Sequence, residues 1–409
     1  MTGPILFEIT AADSHQQIIL PVIRRLRERG IPVIVYSDCE LLRTASDPEP
    51  LEREDIPFVR ALSEPLPLPM REWEPAARAF RRKIPEELAR VRPALLVVLN
   101  DRNFPPNAYV QEARRLRIPT LLIQESLRKD LFQKPPLVKL IGRRLRLLRS
   151  GIEEGLRHFG QGGCDAVAAW GASSREYFLR VGVPEERIHI TGNPRFDQLA
   201  DADFRHAARR IRVEWGVPDE GFLLAFLSSP IERMQIVSKE EKLSALARWI
   251  DWIGRLREDA EWKDLRLAFK LHRSEDPSIL QSLLAERGAA GWAHVADTEL
   301  YPLLQASQAA AMFSTTAGLE AALLSVPVGI MELSRPLDDW DFIGHGVAAG
   351  IRTEQDLRAF LRAARSGGAI GKRGARAAEH YLANLGHAAE AVAGLAARMA
   401  GYAGAGNAE

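Results

Sequence analysis

The sequence predicts an α/β protein of two doubly wound, Rossmann-like parallel-sheet domains facing across a cleft. Three observations carry that expectation. Short apolar runs such as Ala94–Leu99 lack the alternation of a half-exposed strand, as parallel strands covered on both faces do. Each run ends in a polar turn, and apolar residues at helical spacing follow. The chain has 409 residues, too many for one ordinary core and enough for two of roughly 200.

The first run, Pro4–Ile9, is a buried strand. After the turn Thr10–His15, Ile18, Ile19, Val22, Ile23 and Leu26 mark one helix face, and the helix stops at Gly30. Ile31–Tyr36 completes a strand-helix-strand unit. Ile56–Val59 is a short strand, Pro65–Pro69 a loop and Trp73–Val91 a helix. Ala94–Leu99, Thr120–Ile123, Asp165–Trp170 and Ile188–Thr191 are further strands, with helices at Tyr109–Leu116 and between the last two strands. That makes about seven strands in a first domain, residues 1–195. Asn193–Asp197 interrupts the alternation, which resumes near Gly216–Gly221 within a second domain, residues 196–372. Its strands are Phe222–Leu227, Leu267–Leu271, Trp292–Val295, Ala309–Phe313 and Val326–Met331, and Lys239–Glu258 is a long helix. A helix at Thr353–Arg365 precedes a C-terminal piece, residues 373–409. There an Ala-rich helix from about Ala375 to Met399 can cross back to the first domain.

Composition narrows the function. The formal net charge is +1, with 27% charged residues, so there is no basic excess of the kind a duplex-binding protein shows. Nucleic acid is not an expected partner. Cys39 and Cys164 have neither metal-ligand spacing nor the density of a disulfide framework. The first residues run into an apolar strand without a basic leader, and no apolar run approaches a membrane span. The expected compartment is a reducing cytoplasm. Asp201-Ala-Asp203 and Asp339-Trp-Asp341 follow no predicted strand, so no metal site is expected.

Open parallel sheets bind ligands beyond the carboxyl ends of their strands. In the second domain those positions hold Ser228 and Ser229, then Lys270, His272 and Arg273, then Ser314, Thr315, Thr316, Gly318 and Glu320. A Ser/Thr/Gly loop opening a helix offers free N–H groups and a positive dipole end to phosphate. Lys270, His272 or Arg273 can add donors or charge, and Glu320 can accept two ribose hydroxyls. The same Ser and Thr residues also make ordinary helix caps, and Gly318 can simply allow close packing. Three such clusters on one edge favour the ligand reading. The first-domain edge holds Asp13, Ser14 and His15, then Asn100, Asp101 and Arg102, then Gln124 and Glu125. Transfer to a hydroxyl needs a general base, and Asp13, His15, Asp101 and Glu125 are the candidates. Asp13 or Ser14 can instead cap the helix that begins there. Asn193 and Arg195 lie in the expected linker beside the cleft.

Phe269-Lys-Leu-His272 and Ala311–Val328, with its Ser314-Thr-Thr-Ala-Gly-Leu-Glu320 turn, resemble the donor-binding half of GT-B glycosyltransferases. Ala168–Gly171 and Gly182–Asp197 are similar to the end of the first domain and the linker in three groups. These are surface-polysaccharide transferases, CDP-glycerol glycerophosphotransferases and UDP-N-acetylglucosamine 2-epimerases. The resemblance implies a nucleotide-diphosphate sugar as donor and a glycan or lipid-linked acceptor. Fixed donors alone can stabilise a diphosphate leaving group, so no cofactor and no metal are expected. The implied reaction is glycosyl transfer to a cell-envelope or surface-polysaccharide acceptor. CDP-glycerol-type glycerophosphotransfer and 2-epimerase or nucleotide-sugar hydrolase chemistry are the alternatives. The sequence departs from these families in places. Thr10–His15 lacks the Gly-Thr-Arg-Pro-Glu of the epimerases. His272 is followed by Arg-Ser-Glu-Asp-Pro277 where a Pro is usual, and His15 and His345 are the available second histidines.

Between Arg128 and Arg149 eight Lys or Arg residues accompany one acid, Asp130, with Leu137, Val138, Leu140, Ile141, Leu145 and Leu148 interleaved. A basic amphipathic helix of this kind can lie on an anionic membrane surface, which would give peripheral contact at the inner face of the membrane. It can equally be a solvated helix packed on its own domain.

Overall fold

The computed structural model of the chain describes residues 2–44, 48–60, 64–66, 73–127, 158–201, 203–233, 236–333, 337–366 and 368–402. The chain forms two units, residues 1–201 with 380–409, and residues 202–379. The basic segment 128–149 lies outside the described residues.

The first unit is built on β1 (Ile5–Ile9), β2 (Val33–Ser37), β3 (Phe58–Arg60), β4 (Leu95–Val98), β5 (Thr120–Ile123), β6 (Ala166–Ala169) and β7 (Ile188–Ile190). They pair in the order β3-β2-β1-β4-β5-β6-β7, and every pairing is parallel. Alternate residues of β1 serve two cores. Ile5, Phe7 and Ile9 join the cluster formed by Ile18, Ile19, Val22 and Ile23 of helix Ala12–Glu28. Leu6 joins the opposite cluster with Phe80 of helix Trp73–Val91 and Tyr109 of helix Pro106–Arg115. Burying such a side chain stabilises the fold by about 2 kcal/mol. That two-sided cover is why these strands read as unbroken apolar runs.

The C-terminal piece differs from the expected single helix over Ala375–Met399. There are two helices, Ala369–Ala378 in the second unit and Ala388–Met399 in the first. Between them Asn384 takes φ 52° and Gly386 φ 84°, left-handed conformations that end helical hydrogen bonding. The second helix is held by Asp197, whose carboxylate accepts the N–H groups of Ala388 (3.0 Å) and Ala389 (2.7 Å). Its Ala-rich face, with Val392 and Leu395, closes the core against helix Ala12–Glu28.

The second unit contains β8 (Leu223–Leu227), β9 (Arg266–Lys270), β10 (Ala293–Val295), β11 (Ala309–Met312), β12 (Val328–Met331) and β13 (Ala348–Ile351). The order is β10-β9-β8-β11-β12-β13, again all parallel. The strand β13, Ala-Ala-Gly-Ile, is an addition to the expected set. Ile351 is its single β-branched residue, too weak a strand signal by itself, and pairing with β12 holds it in the sheet. Helix Lys239–Leu256 begins at Ser238, whose hydroxyl accepts the Glu241 N–H at 3.1 Å. Trp249, Ile250 and Ile253 of this helix are buried in a core with Phe226, Phe269 and Phe313. No helix among the described residues is long and apolar enough to cross a membrane.

Candidate functional site

In the first unit the strand order reverses between β1 and β4, so the loops after those strands flank the switch point where α/β sheets bind ligands. Helix Ala12–Glu28 follows β1 at once and carries His15. The Thr10 N–H donates to His15 Nδ1 at 3.2 Å, and His15 Nε2 lies 2.9 Å from Glu125 Oε2. Because Nδ1 is an acceptor, the proton sits on Nε2 and is donated to the carboxylate. Glu125 Oε1 accepts from Asn100 Nδ2 at 3.0 Å. Asn100 Oδ1 in turn accepts the N–H groups of Arg102 (3.0 Å) and Asn103 (3.1 Å). The loops after β1, β4 and β5 therefore converge on one carboxylate. The His15 side chain is 3% exposed and that of Glu125 is 23% exposed.

The four base candidates separate on this geometry. Both His15 ring nitrogens are engaged within the protein, so the imidazole orients Glu125. Of the group His15, Asn100 and Glu125, Glu125 is the member that reaches solvent. Asp101 is wholly buried. Its Oδ1 accepts the Gly160 N–H (2.9 Å) and its Oδ2 the Gly162 N–H (2.7 Å), so it ties two loops together away from solvent. A Cβ at Gly162 would come within 1.9 Å of the Asp101 carbonyl oxygen, which explains the glycine. Asp13 lies exposed in the first helical turn. The N-cap is Ala11, so neither Asp13 nor Ser14 caps the helix.

Sequence reasoning missed two acids at this edge. Glu8, inside the apolar strand β1, is 1% exposed, and neither of its carboxylate oxygens has a hydrogen-bond partner. Burial pushes its pKa well up, with Asp38 and Glu125 adding to the rise. Asp38, just after β2, is pushed up to about 7 by burial, and the Tyr109 hydroxyl offsets part of the rise. The only signal in the sequence was one acid within Ile-Leu-Phe-Glu-Ile.

Asn193 and Arg195 also belong to the first unit. Asn193 is 1% exposed, and its side chain accepts the Arg195 N–H at 3.0 Å, starting a short turn. Phe196 packs edge-on against Trp170 at 5.3 Å, and Asp197 caps the C-terminal helix. The Asn-Pro-Arg-Phe-Asp segment is therefore an anchor for the returning chain. The boundary between the units follows a few residues later, after Asp201.

In the second unit β9, β8 and β11 are neighbours, so their three polar loops share one carboxyl edge around the β8/β11 switch point. Ser228 donates to Glu275 Oε1 at 2.8 Å, and Glu275 Oε2 accepts the His272 N–H at 2.8 Å. His272 Nδ1 lies 2.8 Å from Ser274 Oγ. Burial pushes the His272 pKa below its usual value, and Arg273, Arg233 and Lys242 push the same way against Glu275. Arg273 is exposed. Ser229 Oγ is buried without a partner. Lys270 Nζ donates to the Thr298 carbonyl oxygen, so it braces β9 against the next loop. Ser314 donates weakly to Asp339 (3.4 Å), and Thr315 Oγ1 accepts the Ala317 N–H (3.3 Å). Thr316 is the N-cap of helix Ala317–Leu323 and makes no side-chain cap bond. Gly318 packs on Met312: a Cβ there would come within 2.4 Å of the sulfur. Glu320 is 1% exposed, so in this state its carboxylate is shielded and not open to a ribose. A cavity of about 270 Å³ lies beside Ser228, Lys242 and Glu275 over a floor that includes Leu246, Phe269 and Leu280. Among the described residues no three His, Cys, Asp or Glu side chains come together as a metal site requires.

Residues 15–194, under half of the chain, match the Glycosyl transferase 4-like domain family. Two all-parallel Rossmann-like units give the chain the fold of the GT-B superfamily, shared by glycosyltransferases and UDP-N-acetylglucosamine 2-epimerases. Solved structures similar to it include the UDP-GlcNAc 2-epimerase of Neisseria meningitidis bound to UDP-GlcNAc. That match has a TM-score of 0.62 and 15% identity, and covers 95% of this chain and 98% of that one. A glycosyltransferase of Rickettsia africae matches with a TM-score of 0.60 and 12% identity over 98% and 99% of the two chains. The Anabaena protein HepE in complex with UDP and glucose matches at 0.57 and 14% over 96% and 98%. No protein of curated function matches the sequence.

Proposed function

We propose that the chain is a glycosyltransferase that moves a sugar from a nucleotide-diphosphate sugar to a cell-envelope or surface-polysaccharide acceptor. One observation carries the reading: three polar loops, at Ser228–Ser229, Lys270–Arg273 and Ser314–Gly318, end adjacent strands around one switch point. Backbone amides and hydroxyls of those loops would hold the diphosphate, with Arg273 as the exposed cation. Similar structures hold UDP or UDP-sugar, which supports this class of donor. Glu125, oriented by His15 and Asn100, would take the proton of the acceptor hydroxyl. Fixed donors can stabilise the departing diphosphate, so the reaction would proceed without a metal ion. The reading includes work in the cytoplasm or at the inner face of the membrane.

A second reading, epimerisation of the donor itself, has its support in the epimerases among the similar structures. One experiment separates the two. Purified protein is incubated with UDP-, CDP-, GDP- and ADP-sugars, with and without a glycan or lipid-linked acceptor, and with EDTA in parallel. A transferase releases the nucleoside diphosphate quickly only with acceptor, and EDTA leaves the rate unchanged. An epimerase or hydrolase changes the donor alone. If no nucleotide binds at millimolar concentration, as judged by a shift in thermal midpoint, the donor reading fails.

A further inference from the structure

The charged cluster beside the 270 Å³ cavity is tied more tightly than its neighbours. Lys242, on the first turns of helix Lys239–Leu256, has a side chain 6% exposed. Its Nζ donates to the Ser229 carbonyl oxygen (2.9 Å), Glu232 Oε2 (2.7 Å) and Glu275 Oε1 (2.5 Å). Glu275, whose side chain is 9% exposed, also accepts from the Ser228 hydroxyl and from the His272 backbone N–H. One carboxylate thus joins the loop after β8, the loop after β9 and a helix that packs against both strands. The open volume beside it means that packing alone does not hold it, so its hydrogen bonds decide where the loops sit. Two acids face the one ammonium, so Lys242 is not a free cation for a phosphate. Glu275 lies in the stretch Arg-Ser-Glu-Asp that separates His272 from Pro277.

We propose that Glu275 is a positioning residue of the nucleotide-binding edge, holding the Ser228–Ser229 and His272 loops in the register that a diphosphate requires, with Lys242 as its buried counter-charge. This rests on the donor-site reading above. Removing the carboxylate frees the His272 amide and the Ser228 hydroxyl from their fixed directions and leaves Lys242 paired with Glu232 alone. Two effects then mix, lost loop geometry and a weakened charge pair, and they can be separated.

The test measures UDP, CDP, GDP and ADP affinity by calorimetry, and thermal midpoint, for the wild type and for Glu275→Gln, Lys242→Met and the double variant. Glu275→Gln should weaken binding of the preferred nucleotide about tenfold, the scale of one charge-assisted hydrogen bond. It should also lower the midpoint. The double variant removes the buried ammonium and leaves only the partly exposed Glu232, so its midpoint should recover while its affinity stays low. If affinity recovers together with stability, or if folded Glu275→Gln binds as the wild type does, Glu275 is merely structural and the proposal is overturned. If the wild type itself binds none of the four nucleotides, the donor reading has failed and the proposal goes with it. Should Glu275→Gln not fold, the double variant alone decides, since it removes the buried ammonium and still lacks the tether.

Discussion

Replacing Asp38 by Asn should make the first unit more stable at neutral pH, and the gain should vanish in acid. Asp38 sits 1% exposed beside Tyr109 and Glu8, and burial lifts its pKa from 3.8 to about 7. An acid whose folded pKa exceeds its unfolded value binds an extra proton in the folded state between those two values. Folding stability therefore falls as pH rises through that window, and the penalty is complete above about 7. A rise of ~3 units at ~1.4 kcal/mol per unit gives an upper bound of ~4 kcal/mol. Glu8, raised for the same reason, adds a slope of the same sign. Asn keeps the shape and cannot ionise. Urea unfolding followed by far-ultraviolet circular dichroism, from about pH 4 to about pH 8, gives the stability difference between variant and wild type. The difference should open from near zero at the acid end to a gain of ~2–4 kcal/mol for the variant at the neutral end. A difference independent of pH, or a wild type that gains stability over the variant on going to pH 8, would refute the argument.

Four further outcomes follow from named contacts. Asp101→Ala leaves the buried Gly160 and Gly162 amides without partners and should cost about 3 kcal/mol, read as a fall in unfolding midpoint. Asp197→Ala removes the cap of helix Ala388–Met399. It should cost about 1–2 kcal/mol and raise amide hydrogen exchange across that helix ahead of the rest of the unit. Gly162→Ala should prevent folding, since its Cβ meets a backbone carbonyl at 1.9 Å. Gly318→Ala meets the movable end of Met312 and should cost only about 1 kcal/mol, and expression and melting of both variants check the contrast. Glu125→Gln should keep the midpoint of the wild type and lower transfer at least ~100-fold, and unchanged transfer would remove Glu125 from the mechanism.

The architecture was legible because its signal is local. Ala94–Leu99 and Phe222–Leu227 read as buried strands from composition alone, since two-sided cover admits only apolar residues. The polar edge residues were legible for the same reason: the ends of apolar runs mark where ligand-facing loops begin. What each edge residue does was not legible. Asp101 and Glu125 look alike in sequence, and only the tertiary fold aims backbone amides from residues 160 and 162 at one of them and leaves the other facing water. The Ala-rich segment after Ala375 reads as one helix by its composition; Asn384 and Gly386 were the stop signals within it, and its division between two units was hidden. Local preference is a property of neighbours along the chain and can be read from them. A carboxylate's role depends on which donors arrive from tens of residues away and how much water remains. The sequence by itself therefore determined two parallel-sheet units and the rims where their polar residues collect. Only the folded chain decided that His15 orients Glu125, that Asp101 and Asp197 are fastenings, and that Glu8 and Asp38 are ionisable groups inside a core.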